Sequence, residues 1–290
     1  MIATWILKIL IYPVSWLPLP ILYLLGKLLA WNLQYVFRYR KKVVMGNLAI
    51  AFPEKTIKEH KKIASKFYQY LGAIVIESIK SFTISEKEIS KRCKVLNPSI
   101  LDTPSYADKN VIFMYGHYQN WEWSALGCNT QSNHKTAGIY KAIANKSMND
   151  WIKSNRSRMG ARLISMKEIK SVYENPPDEV FANAFISDQK PRDPKRGHWV
   201  DFFGIKTSFL AGAARYAKQY NLPIFFIDIQ QPKKGHYTYF IEEMVPNPSE
   251  WDEKTIIETF ANRLEKQIKE NPAYWLWSHK KWQHKYEESK

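Results

Sequence analysis

Val111-Ile-Phe-Met-Tyr-Gly116 is followed directly by His117-Tyr-Gln-Asn-Trp-Glu122, and this stretch decides the fold. The first half is a short apolar run of the kind found in a buried strand. Gly116 permits a tight backbone, and Asn120 is a favourable N-cap for a helix that begins at Trp121. The stretch therefore predicts a strand, a short loop and a helix, with His117 at the strand end. In open α/β sheets, ligands bind at that edge.

The same alternation of apolar runs and helical patterns extends along the chain. Thr56 and Glu59 form a capping box ahead of a helix predicted over 56–80. Such alternation is typical of an α/β fold with a mixed, largely parallel sheet flanked by helices, here in one domain over 38–290. The predicted strands are 111–117, 135–141, 180–187 and 223–231, and the further helices are about 120–129, 145–160, 207–220 and 253–270.

His117 and Glu122 supply an imidazole and a carboxylate five residues apart. On one helix they would be offset by about 140° and would not meet. They can meet if His117 ends a strand and Glu122 lies in the first turn of the next helix. The imidazole could then take a proton from a hydroxyl, while the carboxylate holds the other ring nitrogen. No nucleophilic serine accompanies them, so the substrate's own hydroxyl is the expected nucleophile. The alternative is a core histidine satisfied by a nearby acid.

The composition restricts the class of protein. The 290 residues carry 43 basic and 27 acidic side chains, a net charge of +16, which indicates an anionic partner. Hydrophobic residues make up 45% and there are 11 Trp, which excludes a disordered basic tail. Two cysteines, Cys93 and Cys128, give no disulfide framework and favour a reducing compartment. We find no zinc-protease spacing and no glycine-rich phosphate loop, so neither a metal nor a cofactor is predicted.

Residues 2–36 are very apolar and nearly free of acid. Their length suits a membrane-spanning helix, but Pro13, Pro18 and Pro20 favour two short helices in one leaflet. A third reading is a buried helix pair in a soluble core. Arg38 and the basic residues up to Lys42 follow, and such charge marks the cytoplasmic side of a membrane. We expect residues 1–37 to anchor a cytoplasmic domain to a membrane.

An ordered set of motifs resembles the lipid A late acyltransferase family, within the wider H-x4-D/E glycerolipid acyltransferase group. The resemblance covers about residues 3–286 and implies a glycerolipid-acyltransferase-like fold. The pieces are KKVVMGNLAIAFPE (41–54), GHYQNWEW (116–123), IYK (139–141), RSRMG (156–160), SDQ (187–189), VDFFG (200–204), the helix at Thr207, and NPAYWLWSHKKWQHKY (271–286).

The resemblance implies an acyltransferase, not of the aminoacyl kind, that moves a fatty acyl chain from an acyl carrier protein thioester to a hydroxyl of a lipid A precursor. His117 would be the general base, Glu122 would orient its ring, and no acyl-enzyme would form. The expected location is the cytoplasmic face of the inner membrane of a Gram-negative cell. The resemblance also favours the carrier protein over coenzyme A as donor.

Further substrate-binding residues follow from the resemblance alone. Arg158 would bind a phosphate or another charged group of the acceptor, or else be a solvated arginine. Asp188 and Gln189 would shape the site beside His117, or have only a structural loop role. Gly204 and Thr207 would begin a helix whose free N–H groups hold the thioester oxygen or donor phosphate, or form a plain helix cap.

Two further segments leave alternatives open. The loop 190–196, with four cations in seven residues, could contact an acidic carrier protein or lipid phosphate, or simply be solvated. The tail 274–282, rich in tryptophan and lysine, suits either a bilayer interface or packing on the core.

Two other functions compete with this hypothesis. The acceptor could be a hydroxylated aminolipid or another lyso-lipid, with the same chemistry. The charge would also suit a non-enzymatic binder of anionic membranes or nucleic acid, but no nucleic-acid motif is found and nucleic acid is not an expected partner.

Overall fold

The computed structural model describes residues 2–129 and 131–286, and its centre is a seven-stranded sheet. The strands are β1 Cys93–Val95, β2 Val111–Tyr115, β3 Lys135–Tyr140, β4 Arg162–Ser165, β5 Phe181–Ile186, β6 Gly197–Phe202, β7 Ile205–Leu210, β8 Ile224–Lys233 and β9 His236–Val245. The strand order in the sheet is β1-β9-β8-β2-β5-β3-β4, and β6 and β7 form a separate pair. All neighbouring strands of the sheet are parallel except the β8–β9 pair. The mixed, largely parallel sheet predicted from the sequence is confirmed.

Helices cover both faces of this sheet. The capping box of α4 is confirmed, with Thr56 and Glu59 each bonded to the other's backbone, and Asn120 caps α6 as expected. The helices are α1 Ile2–Trp16, α2 Leu19–Trp31, α3 Lys41–Ala51, α4 Ile57–Lys80, α5 Glu86–Arg92, α6 Trp121–Gly127, α7 Lys146–Ser157, α8 Ile169–Glu174, α9 Gly212–Tyr220 and α10 Glu253–Glu270.

Strand β2 is buried on both faces, which is why its sequence is continuously apolar. Ile112 and Met114 join the core beneath α9 and α10, while Val111 and Tyr115 join the core beneath α6. Both helix layers therefore fix the strand that carries His117 at its end.

The prediction of one helix over 207–220 is wrong. Residues 205–210 form strand β7, which pairs with β6, and the helix begins only at Gly212. Phe203 and Gly204 connect the two strands with φ angles of 54° and 71°. Two left-handed residues make the tight turn that suits a two-residue hairpin. Phe203 packs against Phe52 and Trp282, and this packing holds a bulky residue in that conformation.

The apolar N-terminus forms two short helices, and the chain turns between them at Leu17–Pro18. Helix α2 packs closely on α4, since a Cβ added to Gly72 would lie 2.3 Å from the Gly26 carbonyl oxygen. The outer face is not buried: Trp5 is 64% exposed and Trp16 is 72% exposed. One face of α2 is buried, as the third reading of an amphipathic pair in a core predicts, but the exposed face is apolar rather than polar. Within residues 2–129 and 131–286, no helix combines the length and apolarity that crossing a membrane requires.

Candidate active site

His117 lies two residues beyond the end of β2, at the carboxyl edge of the sheet. The intervening Gly116 is closely packed, because a Cβ there would lie 2.8 Å from Leu264 Cδ1 and 3.4 Å from Asp188 Oδ2. The neighbouring strand β5 is parallel to β2 with Tyr115 opposite Ile186. The segments that follow the two strands therefore emerge side by side, and Asp188 meets His117.

The Asp188 carboxylate holds both the ring and the backbone of His117. Its Oδ1 lies 2.6 Å from His117 Nδ1, and its Oδ2 accepts hydrogen bonds from His117 N at 2.9 Å and Trp275 Nε1 at 2.8 Å. Burial alone raises the pKa of this carboxyl, but the His117 ring, the His117 N–H and the Trp275 indole together lower the pKa to about 2. Asp188 is therefore ionised at neutral pH, although it is buried.

This arrangement determines which ring nitrogen is a base. A carboxylate can only accept, so Nδ1 donates its proton to Asp188 and the lone pair lies on Nε2. Gln189 Nε2 lies 3.3 Å from that nitrogen and can donate to it. The Trp121 ring lies edge-on to the imidazole at 5.0 Å. The His117 side chain remains 16% exposed, so the ring is not fully enclosed.

The loop after His117 is held in a strained conformation. Gln119 has a φ of 51°, which is uncommon for a residue with a side chain. Its N–H donates to the Tyr274 carbonyl, and its carbonyl accepts from the Tyr70 hydroxyl. Leu276 N donates to the His117 carbonyl. Strain of this kind persists only where surrounding contacts determine the backbone, as these three do.

The expectation that Glu122 holds the His117 ring is corrected by the geometry. Glu122 lies in the first turn of α6, as predicted, but its carboxylate forms a two-point ion pair with Arg156 of α7. The bonds are 3.0 Å from Nε and 2.6 Å from Nη2. The acid that contacts the ring is Asp188, which comes from the next strand of the sheet.

Comparison with known proteins identifies the family to which this chain is similar. Residues 1–284 match the family described as "Bacterial lipid A biosynthesis acyltransferase". The lipid A biosynthesis lauroyltransferase of Escherichia coli (strain K12) is 22% identical over an alignment of 284 residues, and the alignment covers 96% of this chain and 90% of that protein.

The chain belongs to the bacterial lipid A biosynthesis acyltransferases. The resemblance found in the motifs is thus confirmed, and with it an acyltransferase of lipid A biosynthesis. In this acyltransferase, His117 is the residue at the sheet edge with a buried carboxylate on one ring nitrogen and the Gln189 amide beside the other.

Arg158 of this acyltransferase makes structural contacts. Its Nε donates to the Ser81 carbonyl at 2.9 Å and its Nη2 donates to the Ile84 carbonyl. These bonds hold the segment that follows α4. Burial lowers the pKa of the guanidinium below its ordinary value. In the RSRMG element, Arg156 is the arginine that contacts an acid of the H-x4-E motif.

Gly204 and Thr207 do not begin a helix, so the expected N–H groups of a helix N-terminus are not formed there. Gly204 lies in the β6–β7 turn, and Thr207 lies within β7. The Thr207 hydroxyl is buried, donates to the Ile205 carbonyl and accepts from Trp282 Nε1. Its contacts hold the C-terminal segment against the hairpin.

The basic loop and the aromatic tail differ in exposure. Arg192, Lys195 and Arg196 are exposed to solvent on the loop. In the tail, Trp275 and Trp277 are 1% and 0% exposed, so they pack in the core. These two tryptophans fit the packing alternative for the tail.

Sequence reasoning missed Trp275 and Arg156 as parts of the site. Trp275 reaches Asp188 because residues near Tyr118 pair with the tail in a single antiparallel bridge. No spacing in the sequence announces this contact. Arg156 was visible in the quoted RSRMG element, but only the packing of α7 near α6 shows which arginine meets Glu122.

Proposed function

We propose that this protein transfers a fatty acyl chain from the thioester of acyl carrier protein to a hydroxyl of a lipid A precursor, with His117 as general base. The observation that carries the proposal is the 2.6 Å contact between His117 Nδ1 and the ionised Asp188, which leaves Nε2 as a free base. Membership of the lipid A acyltransferase family supports the acceptor class.

The reaction follows from this geometry in two steps. His117 Nε2 takes the proton of the acceptor hydroxyl, and the oxygen attacks the thioester carbonyl carbon. The tetrahedral intermediate then collapses: the C–S bond breaks, and the sulfur leaves with the proton held by the imidazolium. The products are an ester and a free carrier thiol, and the protein ends as it began. Asp188 stabilises the imidazolium between the two steps.

Gln189 covers Nε2 before the substrate arrives. Its amide lies 3.3 Å from the ring nitrogen, within the space that the acceptor hydroxyl must occupy. We infer that the hydroxyl displaces this amide. Glu122 and Arg156 position other residues of the site. Their ion pair fixes α6, and Trp121, the first residue of that helix, contacts the His117 ring.

An apolar cavity is proposed as the place where the acyl chain binds. It lies between the sheet and α6, and it has a volume of about 40 Å³. Tyr115 and Ser124 line it, and they are two residues before His117 and two residues after Glu122. We propose that the first carbons of the chain enter here, with longer chains displacing side chains of the lining. The other lining residues are Val95, Phe113, Cys128, Thr136, Ala184, Ile227, Tyr239 and Ile241.

The N-terminal pair α1–α2 is proposed as the membrane contact. Its outer face exposes Trp5 at 64% and Trp16 at 72%, and Phe37 just beyond it is 71% exposed. Such a face suits a helix pair lying in one leaflet, with residues 38–290 on the cytoplasmic side of the inner membrane. Arg40 and its neighbouring cations follow the pair and would contact anionic headgroups.

The proposal that acyl carrier protein is the acyl donor rests on the charge of an exposed loop. Acyl carrier proteins are acidic partners, and Arg192, Lys195 and Arg196 present exposed positive charge on the loop after Gln189. A docking surface there would bring the thioester toward His117 from the side where Gln189 lies.

Mass spectrometry of total lipids from a deletion strain tests the acceptor. We expect lipid A to become lighter by one acyl chain, and the mass difference to give the chain length. Complementation with the wild-type gene should restore the mass. An unchanged lipid A with altered aminolipids would contradict the proposed acceptor and would support the hydroxylated aminolipid instead.

A further inference from the structure

Glu77 is a buried acid that lies outside the reaction just described. It belongs to α4, its exposure is 0%, and no ion pair to it is found within residues 2–129 and 131–286. Burial raises the pKa of this carboxyl above its ordinary value, and the hydrogen bonds that it accepts oppose this only in part. A buried acid without a basic partner is costly, so its contacts need an explanation.

Three side chains from three different elements bind this one carboxylate. Tyr23 Oη of α2 lies 2.5 Å from Oε1, while Tyr237 Oη of β9 and Asn120 Nδ2 each lie 2.7 Å from Oε2. Both oxygens are therefore occupied.

Asn120 connects Glu77 to the active site. It is three residues after His117, and its Oδ1 accepts from Trp123 N at 2.8 Å as the N-cap of α6. The Trp123 indole donates to the Glu77 carbonyl at 2.9 Å. Glu77 thus holds the cap through its side chain and the first turn of α6 through its backbone.

Tyr23 connects Glu77 to the N-terminal helix pair. Helix α2 approaches α4 so closely at Gly26 and Gly72 that no side chain fits between them. Tyr23 lies one turn before Gly26 and extends to the carboxylate. Tyr23 therefore links α2 to the Glu77 carboxylate that binds the Asn120 side chain.

We propose that Glu77 is a positioning residue for acyl transfer, which holds the segment 117–123 in its catalytic conformation and joins that segment to the α1–α2 pair through Tyr23. This proposal rests on the proposed function for its kinetic part. Its structural part concerns the order of residues 117–123 and can be measured without any acyl donor.

Two substitutions of Glu77 separate positioning from folding. Glu77→Ala removes all three contacts and should lower kcat about ten- to hundredfold, with KM for the acyl carrier thioester little changed. Glu77→Gln should recover most of kcat, because its amide oxygen can accept from Asn120 and Tyr237 while its N–H donates to Tyr23 Oη. Wild-type kcat in a folded Glu77→Ala protein would overturn the proposal.

A matched pair of tyrosine variants tests the connection to the helix pair. Tyr23→Phe and Tyr237→Phe each remove one hydroxyl from the same carboxylate, but only Tyr23 belongs to α2. Hydrogen exchange of residues 117–124 is measured with and without vesicles of phosphatidylglycerol and phosphatidylethanolamine. We expect vesicles to slow exchange in the wild type and in Tyr237→Phe, and to have no effect in Tyr23→Phe.

The same response in both tyrosine variants would overturn the connection to α2. If Glu77→Ala fails to fold, the two tyrosine variants still test the proposal, because each removes only one hydroxyl. If the wild type transfers no acyl chain to a lipid A precursor, the proposed function fails, and the exchange measurements still decide the role of Glu77.

Discussion

The segments that follow β2 and β5 lie side by side at one edge of the sheet, and each carries an acid. Glu122, five residues from His117 in sequence, binds Arg156. Asp188, 71 residues away, binds the His117 ring. The pairing of parallel strands, rather than the short spacing, brings the acid to the ring. The comparison teaches that an H-x4-E spacing does not by itself determine which acid contacts the histidine ring.

Of the two acids, Asp188 is expected to give the larger effect, in the variant Asp188→Asn. The asparagine amide would donate to Nδ1, which forces the ring proton onto Nε2 and removes the base. We expect acyl transfer to fall by about 10⁴-fold, as seen when a triad aspartate becomes asparagine. Steady-state kinetics with an acyl carrier thioester and a lipid A precursor measure the fall.

The second test concerns Glu122, the acid that binds Arg156. Glu122→Gln breaks the ion pair with Arg156 and loosens α6, so we expect a smaller loss, up to about 10²-fold. Arg156→Lys should resemble it, because lysine lacks the two-point fork. A larger loss in Glu122→Gln than in Asp188→Asn would reverse the assignment of the two acids.

A third test concerns the loop after Gln189. The triple variant Arg192→Glu, Lys195→Glu and Arg196→Glu should raise KM for the carrier thioester about tenfold, since it removes electrostatic attraction. The matched control reverses three exposed lysines at the start of α4, Lys58, Lys61 and Lys62. Equal effects in the two triples would mean that net charge alone attracts the donor.

The smallest effect is a dependence of stability on pH. Burial lowers the pKa of His279 to about 4, below its ordinary value of 6.5. A group with a lowered folded pKa is protonated more readily when unfolded, so its contribution to stability is present above pH 6.5 and is lost as pH falls toward 4. We expect His279→Gln to flatten the fall in free energy of unfolding over that window.

Urea unfolding at a series of pH values checks this expectation. His236→Gln, in the β8–β9 turn region, is the comparison variant. A fall over pH 6.5 to 4 that is the same in His279→Gln as in the wild type would contradict the burial of a neutral His279.

The sequence predicted the strands and helices around His117 well because their signals are local. The apolar run of β2, the cap at Asn120 and the capping box at Thr56 each lie within a few residues of the element that they define. The β6–β7 turn was missed because its residues are Phe203 and Gly204 rather than Asn-Gly. Tertiary packing, which the sequence does not display, holds Phe203 there.

The site could be predicted only in part. His117 at a strand end was predicted from the local pattern, whereas Asp188 and Gln189 were expected beside it only from the family resemblance. That Asp188 takes the ring while Glu122 takes Arg156 depends on the register between β2 and β5 and on the packing of α7. Neither the register nor the packing is encoded in a short spacing.

The rate of acyl transfer by His117→Ala directly tests whether His117 is the general base. It is measured with purified protein, an acyl carrier thioester and a lipid A precursor, and thermal unfolding confirms that the variant folds. His236→Ala, a histidine on β9, serves as the control. We expect transfer at the uncatalysed background for His117→Ala and wild-type transfer for the control. Substantial transfer by a folded His117→Ala protein would contradict this expectation.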